Sequence, residues 1–111
     1  MTYIVAGETL EADAEGYLLE PDYRDEVCEA IAAEEGLTLT DEHWKAIAYL
    51  RDCYREDGQT PNMRNLLKGL QAGVLPEASG NLLFELFPNG GAAKQGCKVG
   101  GLPQPKGKGG Y

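Results

Sequence analysis

No run of about 18 apolar residues occurs, which is what a membrane-crossing helix needs, and the start Met1-Thr2-Tyr3-Ile4-Val5 lacks the basic and apolar stretches of a secretory signal. A cytoplasmic protein with no membrane association is the expectation. Histidine is nearly missing, with only His43, and the three cysteines, Cys28, Cys53 and Cys97, are widely spaced with no Cys-x-x-Cys pair. That pattern suits neither a disulfide framework nor a zinc site, so reduced thiols and no metal are expected. The phosphate-loop pattern Gly-x-x-x-x-Gly-Lys-Ser/Thr is absent, and no cofactor is expected. There is no internal repeat, and 111 residues leave no room for a second domain.

Acid is also missing from the end of the chain. The last carboxylate is Glu85, and four lysines follow it: Lys94, Lys98, Lys106 and Lys108. The formal net charge of -8 therefore conceals an acidic body with a basic tail. An acidic body repels nucleic acid over most of its surface, which disfavours direct nucleic-acid binding and leaves only local basic patches for docking.

What is present is an ordinary globular composition, 42% hydrophobic and 25% charged, enough for a modest core. Tyr3-Ile4-Val5 and Thr9-Leu10 flank Ala6-Gly7-Glu8, which suggests a small hairpin, and Asp13-Ala14-Glu15-Gly16 reads as a turn before Tyr17-Leu18-Leu19. Tyr23, Val27 and Ile31 recur four apart, predicting a helix from about Pro21 to Glu35 that Gly36 ends. Thr40 is a natural N-cap for a second helix whose buried face is Trp44, Ile47, Leu50 and Tyr54 and which Gly58 stops. Thr60-Pro61 repeats the start signal for a third helix through Met63, Leu66, Leu67 and Leu70 to Gly73. The apolar run Asn81–Phe87 predicts a short, deeply packed helix stopped by Pro88.

At Asn89 the composition turns to Gly, Pro and Lys. A helical turn around Ala92–Cys97 fits, but the remainder has little apolar surface to offset its ordering entropy, so mobility is expected over the last ten or so residues. The expected fold is mainly α with a small N-terminal β-hairpin: a compact helical bundle containing a helix-turn-helix-like pair, with a flexible C-terminal arm. The expected division is a compact body over 1–88 and a Gly/Pro-rich basic arm over 89–111.

Several blocks in order carry a resemblance: Asp13-Ala14-Glu15-Gly16-Tyr17-Leu18, Leu39-Thr40-Asp41-Glu42-His43-Trp44, Tyr49-Leu50-Arg51-Asp52-Cys53-Tyr54, Pro61 with Arg64 and Lys68, Leu83-Phe84-Glu85-Leu86-Phe87-Pro88, and the tail from Ala93 to Gly107 around Cys97. Together they resemble the DsrC/TusE family, which comprises the gamma-subunit-like partner of dissimilatory sulfite reductase and the sulfur carrier of tRNA 2-thiouridine synthesis. The resemblance implies a helix-rich fold whose C-terminal arm swings, carries sulfur as a cysteine persulfide and inserts into partner proteins, a sulfite reductase or a sulfur-relay complex. It implies a carrier, at most one component of a sulfurtransferase. In the DsrC branch two arm cysteines cooperate, and in the TusE branch the penultimate one works alone. Here Cys97 matches the upstream cysteine, while Lys108 holds the place of the second. Either Cys97 works alone, or the chain is a divergent regulator or partner-binding member that carries no sulfur.

Cys97 is therefore the candidate reactive residue. Lys94 and Lys98 flank it, and neighbouring cations favour thiolate, the attacking form; the alternative is an incidental exposed cysteine. Cys28 and Cys53, on helices among acids, read as packing residues. Arg64, Lys68, Lys94, Lys98 and Lys106 are candidate partner-binding cations, although Arg64 and Lys68 also suit a plain solvated helix face. Gly100, Gly101 and Gly107 are candidate hinges. His43 has no nucleophile placed near it by spacing and reads as a packing or hydrogen-bonding residue, and Arg51, on the apolar stripe, needs a carboxylate or must snorkel. A helix-turn-helix nucleic-acid binder is a further alternative, but Arg64 and Lys68 give a narrow basic surface for it.

Overall fold

The hairpin is closed by the two residues Ala6 and Gly7, both with positive φ, 51° and 81°. That is the turn whose twist matches paired strands. Strand β1 (Thr2–Val5) pairs antiparallel with β2 (Glu8–Glu11), with Val5 opposite Glu8 and Thr2 opposite Glu11. Side chains alternate across a strand, so Tyr3 and Val5 face the core and Ile4 faces outward. These coordinates form a computed structural model, which describes residues 1–105.

The turn after β2 is held by Asp13, whose Oδ1 accepts from the amides of Glu15 and Tyr17 at 2.9 and 3.0 Å. Tyr3 donates its hydroxyl to the Gly16 carbonyl at 2.7 Å. A single bridge between Ala12 and Leu18 then carries the chain along the hairpin.

Helix α1 spans Asp25–Glu35, four residues shorter at its start than the Pro21 boundary the sequence suggested. The Asp22 amide donates to the Gly101 carbonyl at 2.8 Å, and the Asp22 side chain takes the Arg24 amide and guanidinium. These bonds draw residues 21–24 out of a helical path. Gly36, at φ 74°, ends the helix as expected.

Helix α2 runs Asp41–Asp57 from the N-cap Thr40 to Gly58. His43 is built into its start: Nδ1 accepts from the Thr40 amide at 3.1 Å, and on the other side Nε2 meets the Leu86 carbonyl at 2.7 Å. An acceptor Nδ1 leaves the proton on Nε2 to donate to that carbonyl. The histidine thus ties α2 to the chain at Leu86 and lies edge-on to Phe87.

Helix α3 is Met63–Gln71, and its N-cap is Asn62, which accepts from the Asn65 amide, rather than Thr60. Thr60 is instead buried. Helix α4, Gly80–Leu86, is capped by Ser79; it buries Leu83 and Leu86 while leaving Phe84 half exposed. Helix α5, Gln95–Val99, packs against both α1 and α2.

The largest departure from the sequence reading is here. Ala92, Ala93, Gln95, Cys97, Val99 and Leu102 are all buried, so residues 92–102 belong to the core that α1, α2 and the hairpin enclose. Small side chains bury little apolar area each, but they let a helix backbone lie against its neighbours, and Val99 and Leu102 supply the missing apolar surface. The expected mobility therefore does not reach Leu102. Lys106, Gly107 and Lys108 lie outside the described residues.

Candidate functional site

Two glycines one helical turn apart set α5 on α2. A Cβ at Gly96 would come 2.9 Å from the Leu50 side chain, and one at Gly100 would come 2.8 Å from the Gly96 carbonyl and 3.5 Å from Ile47. This seating puts Cys97 in the interior with no exposure. Its thiol donates to Thr60 Oγ1 at 3.3 Å. Burial pushes the thiol up from an ordinary 9.0 to about 11; the Thr60 hydrogen bond pulls the other way, and the nearby Cys53 thiol adds to the rise.

The flanking lysines do not activate it. Lys98 turns to α1, where its ammonium lies 3.5 Å from Glu35 and 5.4 Å from the centre of the Tyr17 ring. Lys94 is exposed at the start of α5. Neither is a cause of the Cys97 shift, and desolvation decides its direction. The expectation of a lysine-lowered thiol is thus corrected for this conformation: Lys98, next to Cys97 on the helix, points to another face, and Lys94, at the N-cap, stays in solvent while the thiol is buried.

Three fastenings hold the segment. Gln95 donates to Glu35 at 3.1 Å and accepts the Asn89 amide at 3.0 Å, and Glu35 also takes Lys98. Arg51, nearly buried, donates from Nε to the Gly100 carbonyl at 3.0 Å and from its other nitrogens to the Arg24 carbonyl, Cys28 Sγ and Asp25. Its carboxylate partner, Asp25, was foreseeable in kind; the bond to Gly100 was not. Gly101, at φ 77°, returns the backbone so closely to the Asp22 carbonyl that a Cβ would collide with it.

Beyond Leu102, Pro103-Gln104-Pro105 forms one wall of a small crevice whose other wall is Tyr54, Gly58, Gln59 and Thr60. Gln104 reaches the exposed Glu15 at 2.7 Å. Thr60 therefore both lines the crevice and touches the Cys97 thiol. It is the site residue that sequence reasoning missed, having assigned it to helix capping; its place before Pro61 carries no signal of contact with Cys97.

Of the other candidates, Arg64 and Lys68 lie exposed one turn apart on α3. Gly100 and Gly101 fill positions that demand glycine for close approach. Lys106 and Gly107 lie outside the described residues. Cys28 is buried against Arg51, and Cys53 is half-buried on α2. Among the described residues no cluster of three or more His, Cys, Asp or Glu is arranged to hold a metal, and no helix is long and apolar enough to cross a membrane.

A small helical body with an N-terminal hairpin, closed by a short C-terminal helix and a Gly/Pro strap, is a fold that known relatives share. The model of the family described as DsrC like protein matches residues 4–108. The sulfurtransferase TusE of Escherichia coli (strain K12) is 41% identical over 105 residues, 92% of this chain and 94% of that protein. The solution structure of Allochromatium vinosum DsrC superposes with a TM-score of 0.86 at 37% identity, covering 96% of this chain and 98% of that one. The oxidized gamma-subunit of the dissimilatory sulfite reductase (DsrC) from Archaeoglobus fulgidus gives 0.84 at 36% identity over the same shares. The chain belongs to the DsrC family.

Proposed function

We propose that this protein is a sulfur carrier of a relay, holding sulfur as a persulfide on Cys97 and passing it to partner sulfur enzymes, a sulfite reductase or a sulfurtransferase complex. The observation that carries this reading is the placement of Cys97, the one cysteine of the family-matched tail, behind a strap of three residues at the crevice of Thr60. Transfer is a thiol exchange. The Cys97 thiolate attacks the outer sulfur of a donor persulfide; an S–S bond forms at Cys97, the donor's S–S bond breaks and the donor leaves as a thiolate. An acceptor thiolate then repeats the step on Cys97, which is released in turn.

At neutral pH the thiol is covered and protonated, so an opening at Gly100 and Gly101 precedes reaction and guards the thiol between transfers. On this reading residues 1–88 are the body, the arm over 89–111 packs against it at rest, the strap beyond Gly101 swings away to uncover Cys97, and Lys94, Lys98 and Lys106 draw the opened site toward anionic surfaces or a sulfur oxyanion. The protein acts in the cytoplasm and is a carrier, with catalysis left to its partners.

The test is incubation with a persulfide donor, followed by intact mass, in a chain with Cys28 and Cys53 replaced by Ala. A gain of roughly 32 Da, one sulfur on a thiol, that disappears in Cys97→Ser is expected. Absence of the adduct where iodoacetamide does label Cys97 overturns the carrier reading in favour of a regulator that binds the same partners without carrying sulfur.

A further inference from the structure

The described cations divide into two groups. Arg24, Arg51, Arg55 and Lys98 are in ion pairs, whereas Lys45, Arg64, Lys68 and Lys94 have no carboxylate within pairing distance among the described residues. Of these four, Lys94 closes the loop before α5, Arg64 follows Met63, which that loop contacts, and Lys68 is one turn further along α3.

That loop is residues 89–94. Its Ala93 amide donates to Met63 Sδ at 3.3 Å, which seats it on the first turn of α3, immediately before Arg64. Gly91 lies against the Phe84 ring, where a Cβ would be 2.9 Å from the nearest ring carbon, and Gly90 lies against the Lys94 side chain. Arg64 and Lys68 stand one turn apart on the exposed side of α3. Phe84 is 51% exposed, on a helix whose other large apolar residues are mostly buried. Glu85 is the only acid within residues 62–71 and 80–94.

We infer that the surface around loop 89–94, with Phe84 and Lys94 at the loop and Arg64 and Lys68 on the adjoining helix α3, docks an acidic segment of a partner protein that also carries one apolar side chain to cover Phe84. Exposed aromatic and arginine side chains are among the types enriched where proteins meet, and unpaired cations beside them select a segment of opposite charge. A protein segment fits better than nucleic acid: three cations match a few carboxylates, while a polyanion running past the face meets the acidic remainder of the body. The inference rests on the partner-binding half of the proposal above and not on Cys97 holding sulfur.

The test titrates the isotope-labelled full chain with a short synthetic peptide of Asp and Glu around a single Leu, following backbone amide shifts. Shifts grouped at Arg64, Lys68, Phe84, Gly91 and Lys94, shrinking with added salt, are expected. The double variant Arg64→Glu/Lys94→Glu binds about tenfold more weakly, the equivalent of two lost surface pairs, and Phe84→Ala weakens binding as well. Lys45→Glu, which reverses an unpaired cation that no contact brings to this face, leaves binding unchanged. Shifts centred elsewhere, equal loss in Lys45→Glu, or a single-stranded oligonucleotide that moves the same amides at lower concentration would overturn the inference. Sulfur loading of Cys97, read by mass on the Phe84→Ala variant, stays normal; loading that fails in every variant while docking holds removes the carrier reading alone.

Discussion

Arg51 donates from Nε to the carbonyl of Gly100 at 3.0 Å, joining the middle of α2 to the C-cap of α5. The same guanidinium reaches the Arg24 carbonyl, so one side chain spans the start of α1 and the start of the C-terminal strap. Replacing it by Met leaves these buried carbonyls without a donor, which costs about 2–3 kcal/mol. Urea denaturation of Arg51→Met reads that loss. Asp25→Asn changes stability by less than about 1 kcal/mol, because the Asp25 side chain is 71% exposed and its ion pair is largely screened.

The raised Cys97 thiol makes stability fall in alkali. The folded state prefers the neutral thiol, so its contribution is complete below the ordinary value of 9.0 and is lost as pH rises toward about 11. Each unit of difference corresponds to about 1.4 kcal/mol. Between about pH 8 and about pH 10.5 the wild type loses about 2 kcal/mol more than Cys97→Ala. Urea midpoints at the two pH values measure the difference.

Gly101→Ala costs about 2–4 kcal/mol, since a methyl there meets the Asp22 carbonyl and φ is 77°. Gly7→Ala, with a similar φ of 81° but open space around it, costs only about 1–2 kcal/mol. Thermal unfolding of the two variants side by side separates collision from backbone strain.

Ala6→Asn stabilises the hairpin by about 0.5–1 kcal/mol. Ala6 holds a φ of 51°, which Asn tolerates better than Ala, and Asn-Gly is the favoured pair for this turn. A rise in melting temperature without a change in the amide shifts of α1 to α5 is the expected result.

Elements with strong local signals were legible in the chain. Ala6-Gly7-Glu8 between two short runs gave the hairpin, although Glu8 already belongs to β2, Thr40 and Gly58 bounded α2, and Gly36 closed α1. Boundaries set by distant partners were not. Asp22 was read as the first turn of α1 because Pro21 favours that position, but its amide is taken by Gly101, far away in the chain. Thr60 was read as a cap because it precedes Pro61, yet Asn62 caps α3 and Thr60 receives the Cys97 thiol.

By itself the sequence determined the helical class, the N-terminal hairpin, the family and the identity of the cysteine at issue, because periodicity, caps and the order of short motifs are properties of neighbouring residues. Only the tertiary structure decided the state of that cysteine. Lys94 and Lys98 are close to Cys97 in the chain and suggested an activated thiol in a loose tail. The fold turns Lys98 toward Glu35 and lays the glycine face of α5 on α2, so the thiol is desolvated and raised. Burial depends on what the rest of the chain brings to a segment, and no reading of the segment alone contains it.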